Sequence, residues 1–270
     1  MKRPSILFIF YVTLFTLYPS PATASTADEA QAAWAQRDQP GQTENAIRLW
    51  KQSLKENPNQ SALCIDLTKA LGRAVRHAKN DSDHKKWADE ARAAGDRCVA
   101  ENPGSAEALA YDAEAIGQWA DAHKGPGSLK KVNQAVDLLK KALALNPHYA
   151  YAHMLLAEFY RQAPRFISVG DKAKALEQAQ AAVQDDPAHV INHVIYARAL
   201  IDTHHKAEAV QQLRMALSLP APPDAIPETT ADQETARELL RSLGAMETAS
   251  AKETGSVCSE DKSNRSSCGN

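Results

Sequence analysis

His189 and His193 stand four residues apart, so a helix would carry both on one face. That is the spacing of a zinc-binding helix, but Val190 stands where such a helix needs its glutamate base. His193 also falls at a core-facing position of its helix, as His153 does, so packed rings are expected. His204-His205 lie beside Lys206 in what reads as a short, solvated turn. No phosphate-binding loop, nucleophile elbow or dinucleotide fingerprint is present, and spacing singles out no pair of carboxylates. The expectation is therefore no catalytic residue, no metal and no cofactor.

Cys64, Cys98, Cys258 and Cys268 form no C-x-x-C or Cys/His cluster, which argues against zinc. Their reading depends on compartment. Lys2 and Arg3 precede an apolar run from Ile6 to Tyr18, then Pro19-Ser20-Pro21-Ala22-Thr23-Ala24. A basic start, a short apolar stretch and an A-x-A end make a secretory signal peptide, with cleavage expected after Ala24. The alternative is an uncleaved anchor. Thirteen residues are short for a bilayer that needs about 20, and no cysteine follows the small residues to carry a lipid. Export to the periplasm or beyond makes disulfides permissible.

The 270 residues carry 31 Lys+Arg against 33 Asp+Glu. A formal charge of -2 argues against a non-specific nucleic-acid binder, which needs a basic excess. Hydrophobic residues make up 44% but aromatic ones only 6%, so the apolar content is mostly aliphatic and alanine. No second apolar run approaches membrane-spanning length.

Helix-ending steps recur along the chain: Asn57-Pro58, Asn102-Pro103, Asn146-Pro147, Asp186-Pro187 and Leu219-Pro220, at intervals of 45, 44, 40 and 33 residues. Proline cannot continue a helix and drives its predecessor out of the α region. Between these stops runs a pattern of paired helices, A and B. Apolar residues fall at positions 4, 7 and 11 of helix A, with small ones at 8 in helix A and at 20 in helix B. The last full unit shows it without insertion: Tyr196, Ala197, Leu200, then Ala209, Leu213 and Ala216. The units before it show Leu156, Ala157, Tyr160 with Ala175, Ala179, Ala182, and Leu109, Ala113, Ile116 with Ala135, Leu139, Ala142. Cys64, Leu67, Thr68 and Leu71 with Ala91, Gly95 and Cys98 make the second unit, and a degenerate first unit has Ala33, Trp34, Ala46 and Trp50. Asp112 is a misfit where an apolar residue is expected.

This pattern resembles the tetratricopeptide repeat (TPR), whose unit is about 34 residues long. The resemblance implies an all-α, right-handed TPR-like solenoid of about five helix-turn-helix units. Insertions of eleven, ten and six residues fall between helices A and B of units two to four. Gly125-Pro126-Gly127 reads as a turn, and Phe166, Ile167 and Val169 as apolar loop residues. Residues 229–243 read as an amphipathic capping helix. The expected organisation is a signal peptide over 1–24, a solenoid over 25–244 and a disordered tail over 245–270.

Cys64 and Cys98 fall at positions 4 and 27 of one unit, together at one end of an antiparallel pair. A bridge between them is geometrically reasonable; two buried thiols are the alternative. Cys258 and Cys268 could close a small loop in the tail. The surface offered to partners by such an array is its concave groove, where positions 2, 5, 9, 12 and 13 of helix A point. Lys69, Arg73, Tyr151, Met154, Glu158, Arg161, Arg198 and Asp202 are the candidates there. Trp119, Arg165 and Phe166 mark the insertion edge. Acids and bases alternate in the groove, which leaves its ligand open.

One stretch is more particular: Leu156-Ala157-Glu158-Phe159-Tyr160-Arg161-Gln162-Ala163-Pro164, then Gly170-Asp171-Lys172-Ala173-Lys174-Ala175. It resembles exported bacterial TPR proteins that include the T component of TRAP transporters. A similar segment occurs in eukaryotic microtubule-dynamics regulators. The transporter resemblance implies a non-enzymatic periplasmic protein that associates with a solute-binding protein. The expected function is a protein-interaction scaffold. The alternatives are an envelope-complex assembly factor, or a small-molecule binder or enzyme with a pocket near Trp87 and Trp119.

Overall fold

Four helices stop one residue short of an Asx-Pro step. The computed structural model describes residues 24–58, 62–164 and 169–245, and every described helix is α-helical with no strand among them. They are α1 (Thr26–Ala35), α2 (Gln42–Glu56), α3 (Ala62–Arg76), α4 (Asp81–Glu101), α5 (Ala106–Ala122), α6 (Pro126–Leu145), α7 (Ala150–Gln162), α8 (Lys172–Asp185), α9 (Val190–Asp202), α10 (Lys206–Ser218) and α11 (Ile226–Ser242). The C-caps Asn57, Asn102, Asn146 and Asp186 all sit at φ between −131° and −142° and ψ between 60° and 94°. The following proline enforces that extended geometry. Starts are equally local. Ser25 and Asp28 form a capping box, and Asn80, Ser105 and Asp171 accept backbone N–H groups at the heads of α4, α5 and α8.

The first ten helices pair into five hairpins, α1·α2 to α9·α10, and each hairpin packs on the next. Small side chains stand where the two rods of a pair meet. Ala113, Ala135, Ala157, Ala175, Ala197 and Ala209 are all sealed from solvent. Larger residues fill the layers beside them. Leu71, Leu139, Leu200 and Leu213 are fully buried, each contributing about 1.5–3 kcal/mol. In the degenerate first unit Trp34 and Trp50 take over that role, with ring centroids 5.8 Å apart.

The insertions become helix in two of three units. α4 has 21 residues and α6 has 20, against 14 in α8 and 13 in α10. The connections at 77–80 and 123–125 stay short. Gly125-Pro126-Gly127 is therefore not a turn throughout: Gly125 is the N-cap and Pro126 is the first helical residue of α6. Proline suits that place, because the N–H it lacks would have no partner there. In the fourth unit the extra residues connect α7 to α8. Arg165, Phe166 and Ile167 belong to this connection but lie outside the described residues, as do residues 1–23 and residues 246–270 with Cys258 and Cys268.

Cys64 and Cys98 are joined in a disulfide, with Cα atoms 5.3 Å apart. The bridge ties the head of α3 to the end of α4. Two histidines make the same tie without a covalent bond. The ring nitrogens of His193 lie 2.7 Å from Gln212 Oε1 in α10 and 2.9 Å from the carbonyl of Pro187. His153 repeats this with Gln178 and Pro147, at 2.7 and 3.0 Å. Cys64, His153 and His193 share repeat position 4.

Asp112 is buried, and its Oδ1 has no hydrogen-bond partner. Gly95 of α4 makes room for it: a Cβ built at residue 95 would lie 2.5 Å from Asp112 Oδ1 and 3.0 Å from Asp112 Cα. Burial, reinforced by the charge of Asp96, pushes the Asp112 carboxyl up to about 7, against the opposing charges of Arg92 and Lys131.

Two measurements follow from this packing. Reducing the Cys64–Cys98 bridge is expected to lower the free energy of unfolding by roughly 3 kcal/mol in denaturant titrations with and without reductant. Asp112 binds its proton more tightly folded than unfolded, so its contribution is full below about pH 4 and is lost as pH rises to about 7. Asp112→Asn should flatten that loss and unfold about 1–3 kcal/mol less readily than the wild type at pH 8, the cost of a buried unpaired group. A variant whose stability falls with pH as steeply as the wild type would show that Asp112 is not responsible.

Candidate functional site

The inner wall of the stack is lined by the first helix of each hairpin. Position 9 presents Lys69, Glu114, Glu158 and Arg198 in turn from α3, α5, α7 and α9. Glu114 is the hub of the middle of this wall. It accepts hydrogen bonds from the Arg76 guanidinium, from Gln118 Nε2 at 3.0 Å and from the Tyr151 hydroxyl at 2.6 Å. Gln118 also donates to the Gly72 carbonyl at 3.3 Å. The hub thus joins α3, α5 and α7. Burial, together with the neighbouring Glu114 carboxylate, pushes the Tyr151 phenol well up, so it acts as a donor. Its ring packs on Tyr111 at 5.1 Å.

A second group continues the wall towards α9. Arg161 donates to both oxygens of Glu158 at 2.9 and 3.1 Å and pairs with Asp202 at 3.5 Å. Lys172 donates to the Asp202 carbonyl at 3.2 Å. Met154 is 8% exposed and packs with Ala157, Ala179, Ala182, Ile195 and Ala199 between the fourth and fifth hairpins. Its side chain therefore fills an interface between units. Lys69 is exposed and Arg198 half-buried.

The third group closes the wall across its two ends. Arg37, in the α1–α2 turn, donates from Nε and Nη2 to the two oxygens of Glu228 in α11 at 2.9 and 2.7 Å. Arg73 of α3 donates to Glu228 Oε1 at 2.7 Å and to the Arg37 carbonyl at 3.3 Å. Arg37 also donates to the Trp34 and Asp224 carbonyls and stacks over the Trp34 ring at 4.9 Å. Burial alone would raise the Glu228 carboxyl, but the hydrogen bonds and charge of Arg37, with the charge of Arg73, outweigh it and hold it below the usual carboxylate range. One turn further along α11, burial pushes Asp232 up to about 6 against the charges of Arg76 and Arg198, with Glu228 adding to the rise.

The C-terminal helix is thus more than a cap. Ala236 and Leu240 seal it onto the last hairpin, as an amphipathic cap would require. Its first turns reach over the inner wall to residues of the first two hairpins.

On the insertion edge, Trp119 stacks on His123 at 4.5 Å, donates from Nε1 to Asp89 at 2.8 Å and lies under Arg92 at 5.4 Å. Trp87 carries Lys86 over its face at 4.5 Å. The recess nearby is open and polar, lined by Asp81, His84, Lys85, Asp121, His123 and Lys124. Its character is unlike that of an apolar ligand pocket.

Of the predicted groove residues, the structure links Tyr151 to the Glu114 hub, joins Glu158, Arg161 and Asp202, and places Arg73 in the Glu228 cluster. Arg37, Arg76, Glu114, Gln118, Glu228 and Asp232 were not anticipated. Glu114 and Gln118 occupy positions 9 and 13 of the third unit, so the repeat register alone could have found them. Nothing local marks Arg37 or Glu228, because their meeting depends on the curvature of the whole stack.

The architecture is that of a TPR solenoid. Among solved structures, a thermophilic TPR protein of Thermus thermophilus is 18% identical, with 82% of this chain and 100% of that chain covered and a TM-score of 0.62. MamA of Desulfovibrio magneticus is 16% identical over 80% and 98% of the two chains, with a TM-score of 0.46. No curated protein matches the sequence. The family model described as regulator of microtubule dynamics protein 1-3 matches residues 27–165, just over half of the chain, and the chain belongs to that family. The match runs through the first three hairpins and α7, far beyond the stretch Leu156–Pro164 that suggested it.

Glu114→Ala is expected to cost about 1–3 kcal/mol, because it strips a common acceptor from Arg76, Gln118 and Tyr151. Thermal unfolding should show it. A loss no larger than that of an exposed control such as Glu44→Ala would mean that the hub does not couple the three helices.

Proposed function

We propose that the chain is a non-catalytic, exported scaffold that holds a protein partner against the inner wall of its helical stack. The observation that carries this reading is the wall itself, where charged and aromatic side chains from four successive hairpins are held in fixed positions by one another. A pre-ordered surface of this kind spares a partner part of the entropic cost of association. The leader-like residues 1–24 and the disulfide support a periplasmic or secreted location. No described helix is long and apolar enough to cross a membrane. The family's description names regulation of microtubule dynamics for its members; for an exported chain the transferable part is the helical scaffold.

A narrower reading is an accessory of a solute transport system, seated beside a periplasmic solute-binding protein. The stretch Leu156–Pro164 and Gly170–Ala175 favours it. Assembly of an envelope complex is the other form the scaffold role could take.

Affinity purification of the tagged full chain from its native envelope extract tests the proposal. A partner in stoichiometric amount is expected, and it should be lost with Lys69→Glu plus Arg198→Glu on the inner wall. It should be kept with Lys85→Glu on the insertion edge. A partner retained by the wall variant and lost by the edge variant would move the binding surface to the insertions. A small molecule carried through purification, with no protein, would contradict the scaffold reading.

A further inference from the structure

Arg37 and Arg73 come from the first two hairpins, yet they converge on one carboxylate that follows them by 191 and 155 residues. Both are nearly sealed from water, at 7% and 8% exposure. A buried guanidinium without an anion has lost its hydration and gained nothing in return, which is strongly destabilising. The two forks of donors therefore demand an anion, and the Glu228 carboxylate supplies it in a fixed orientation.

α11 is attached differently along its length. Its rear half is apolar: Ala236 and Leu240 are buried in one cluster with Val194, Ala197, Leu213 and Ala216. Its front half is held by the ion pairs of Glu228, the Asp224 carbonyl and the buried side chain of Thr229. Ile226 is 51% exposed, and the attachments to the first two hairpins run through Glu228 and the Asp224 carbonyl. The segment Pro220-Ala221-Pro222-Pro223 leads into it as a stiff tether. With its anchors so divided, release of the front half need not break the apolar seat of the rear half. Whatever replaces it must bring an anion to the two arginines, and a carboxylate is the group that Glu228 already fits there.

We infer that residues 224–232 occupy the groove in cis, in the place of an acidic partner segment that presents a glutamate or aspartate side chain to Arg37 and Arg73. This rests on the scaffold reading and specifies the chemistry and control of its surface. A partner competes with a tethered occupant, so its apparent affinity is lowered by the fraction of chains that are closed. The Arg76 and Arg198 cations, whose charges act on Asp232, suit the same acidic character.

The test uses the full chain and a fluorescein-labelled synthetic peptide of residues 222–234 as the probe. Glu228→Gln should raise hydrogen exchange over 224–232 while 236–243 keeps its protection. The labelled peptide should bind that variant roughly tenfold more tightly than it binds the wild type, measured by anisotropy. A peptide with Gln at the Glu228 position should lose the gain, and so should the chain with Arg73→Ala added. Should Glu228→Gln fail to unfold cooperatively, Glu228→Asp, which keeps the charge on a shorter arm, should give an intermediate opening and an intermediate gain. Unchanged exchange at 224–232 would overturn the cis occupant. Opened exchange without tighter peptide binding would overturn carboxylate recognition. Neither result bears on whether the wall variants lose their purified partner, so the scaffold reading stands or falls separately.

Discussion

The close approach of paired helices is the constraint on which the rest depends. Two rods can pack tightly only where both present alanine-sized side chains, and here Ala113–Ala135, Ala157–Ala175 and Ala197–Ala209 supply them in three consecutive hairpins. The close contact leaves little freedom in how one rod lies on the other. Repeated hairpin after hairpin, it sets the curvature of the inner wall. Gly95 extends the principle to a contact between neighbouring hairpins, where the missing side chain admits Asp112. The stability of such an array is approximately the sum of its units and their interfaces, so a misfit in one layer is tolerated when its neighbours fit.

Repeat position 4 shows how one structural need is met by different chemistries. In the second unit a disulfide ties the head of helix A to the end of helix B. In the fourth and fifth, a histidine bridges a proline carbonyl and a glutamine of helix B. The second unit has a helix B of 21 residues, the longest among the described residues, and a covalent tie is a strong restraint for it. Of His189 and His193, whose spacing could have suggested a metal site, His193 is part of the frame and His189 is the N-cap of α9, 3.5 Å from Asp186. In His153 and His193 alike, one ring nitrogen meets the glutamine and the other the proline carbonyl.

Much of this was legible along the chain because it is local. Asx-Pro steps end helices by steric exclusion, and alanines at fixed offsets announce the crossings, so the five hairpins could be read directly; the register put Cys64 and Cys98 at one end of a pair but left buried thiols open, and the structure joins them. The conversion of insertions into longer helices was harder to read. Gly125-Pro126 looks like a turn, yet proline is equally at home as the first residue of a helix, and flanking helix-formers decide between the two. The site divides in the same way. Glu114 and Gln118 follow from repeat register. The Arg37–Glu228–Arg73 cluster does not, because it arises only when five hairpins curve far enough to bring the first turn of the array towards the last helix.

That closure is the most direct consequence of the packing, and a distance measurement tests it. Spin labels placed at the exposed residues Gln39 and Thr230 of the full chain would report the gap between the first hairpin and the front of α11 by pulsed dipolar spectroscopy. A curved stack with α11 laid across its inner wall predicts one short, narrow distance population in the wild type. A broad distribution centred at long distance would contradict it, showing helices that pair as described but do not curve into a wall.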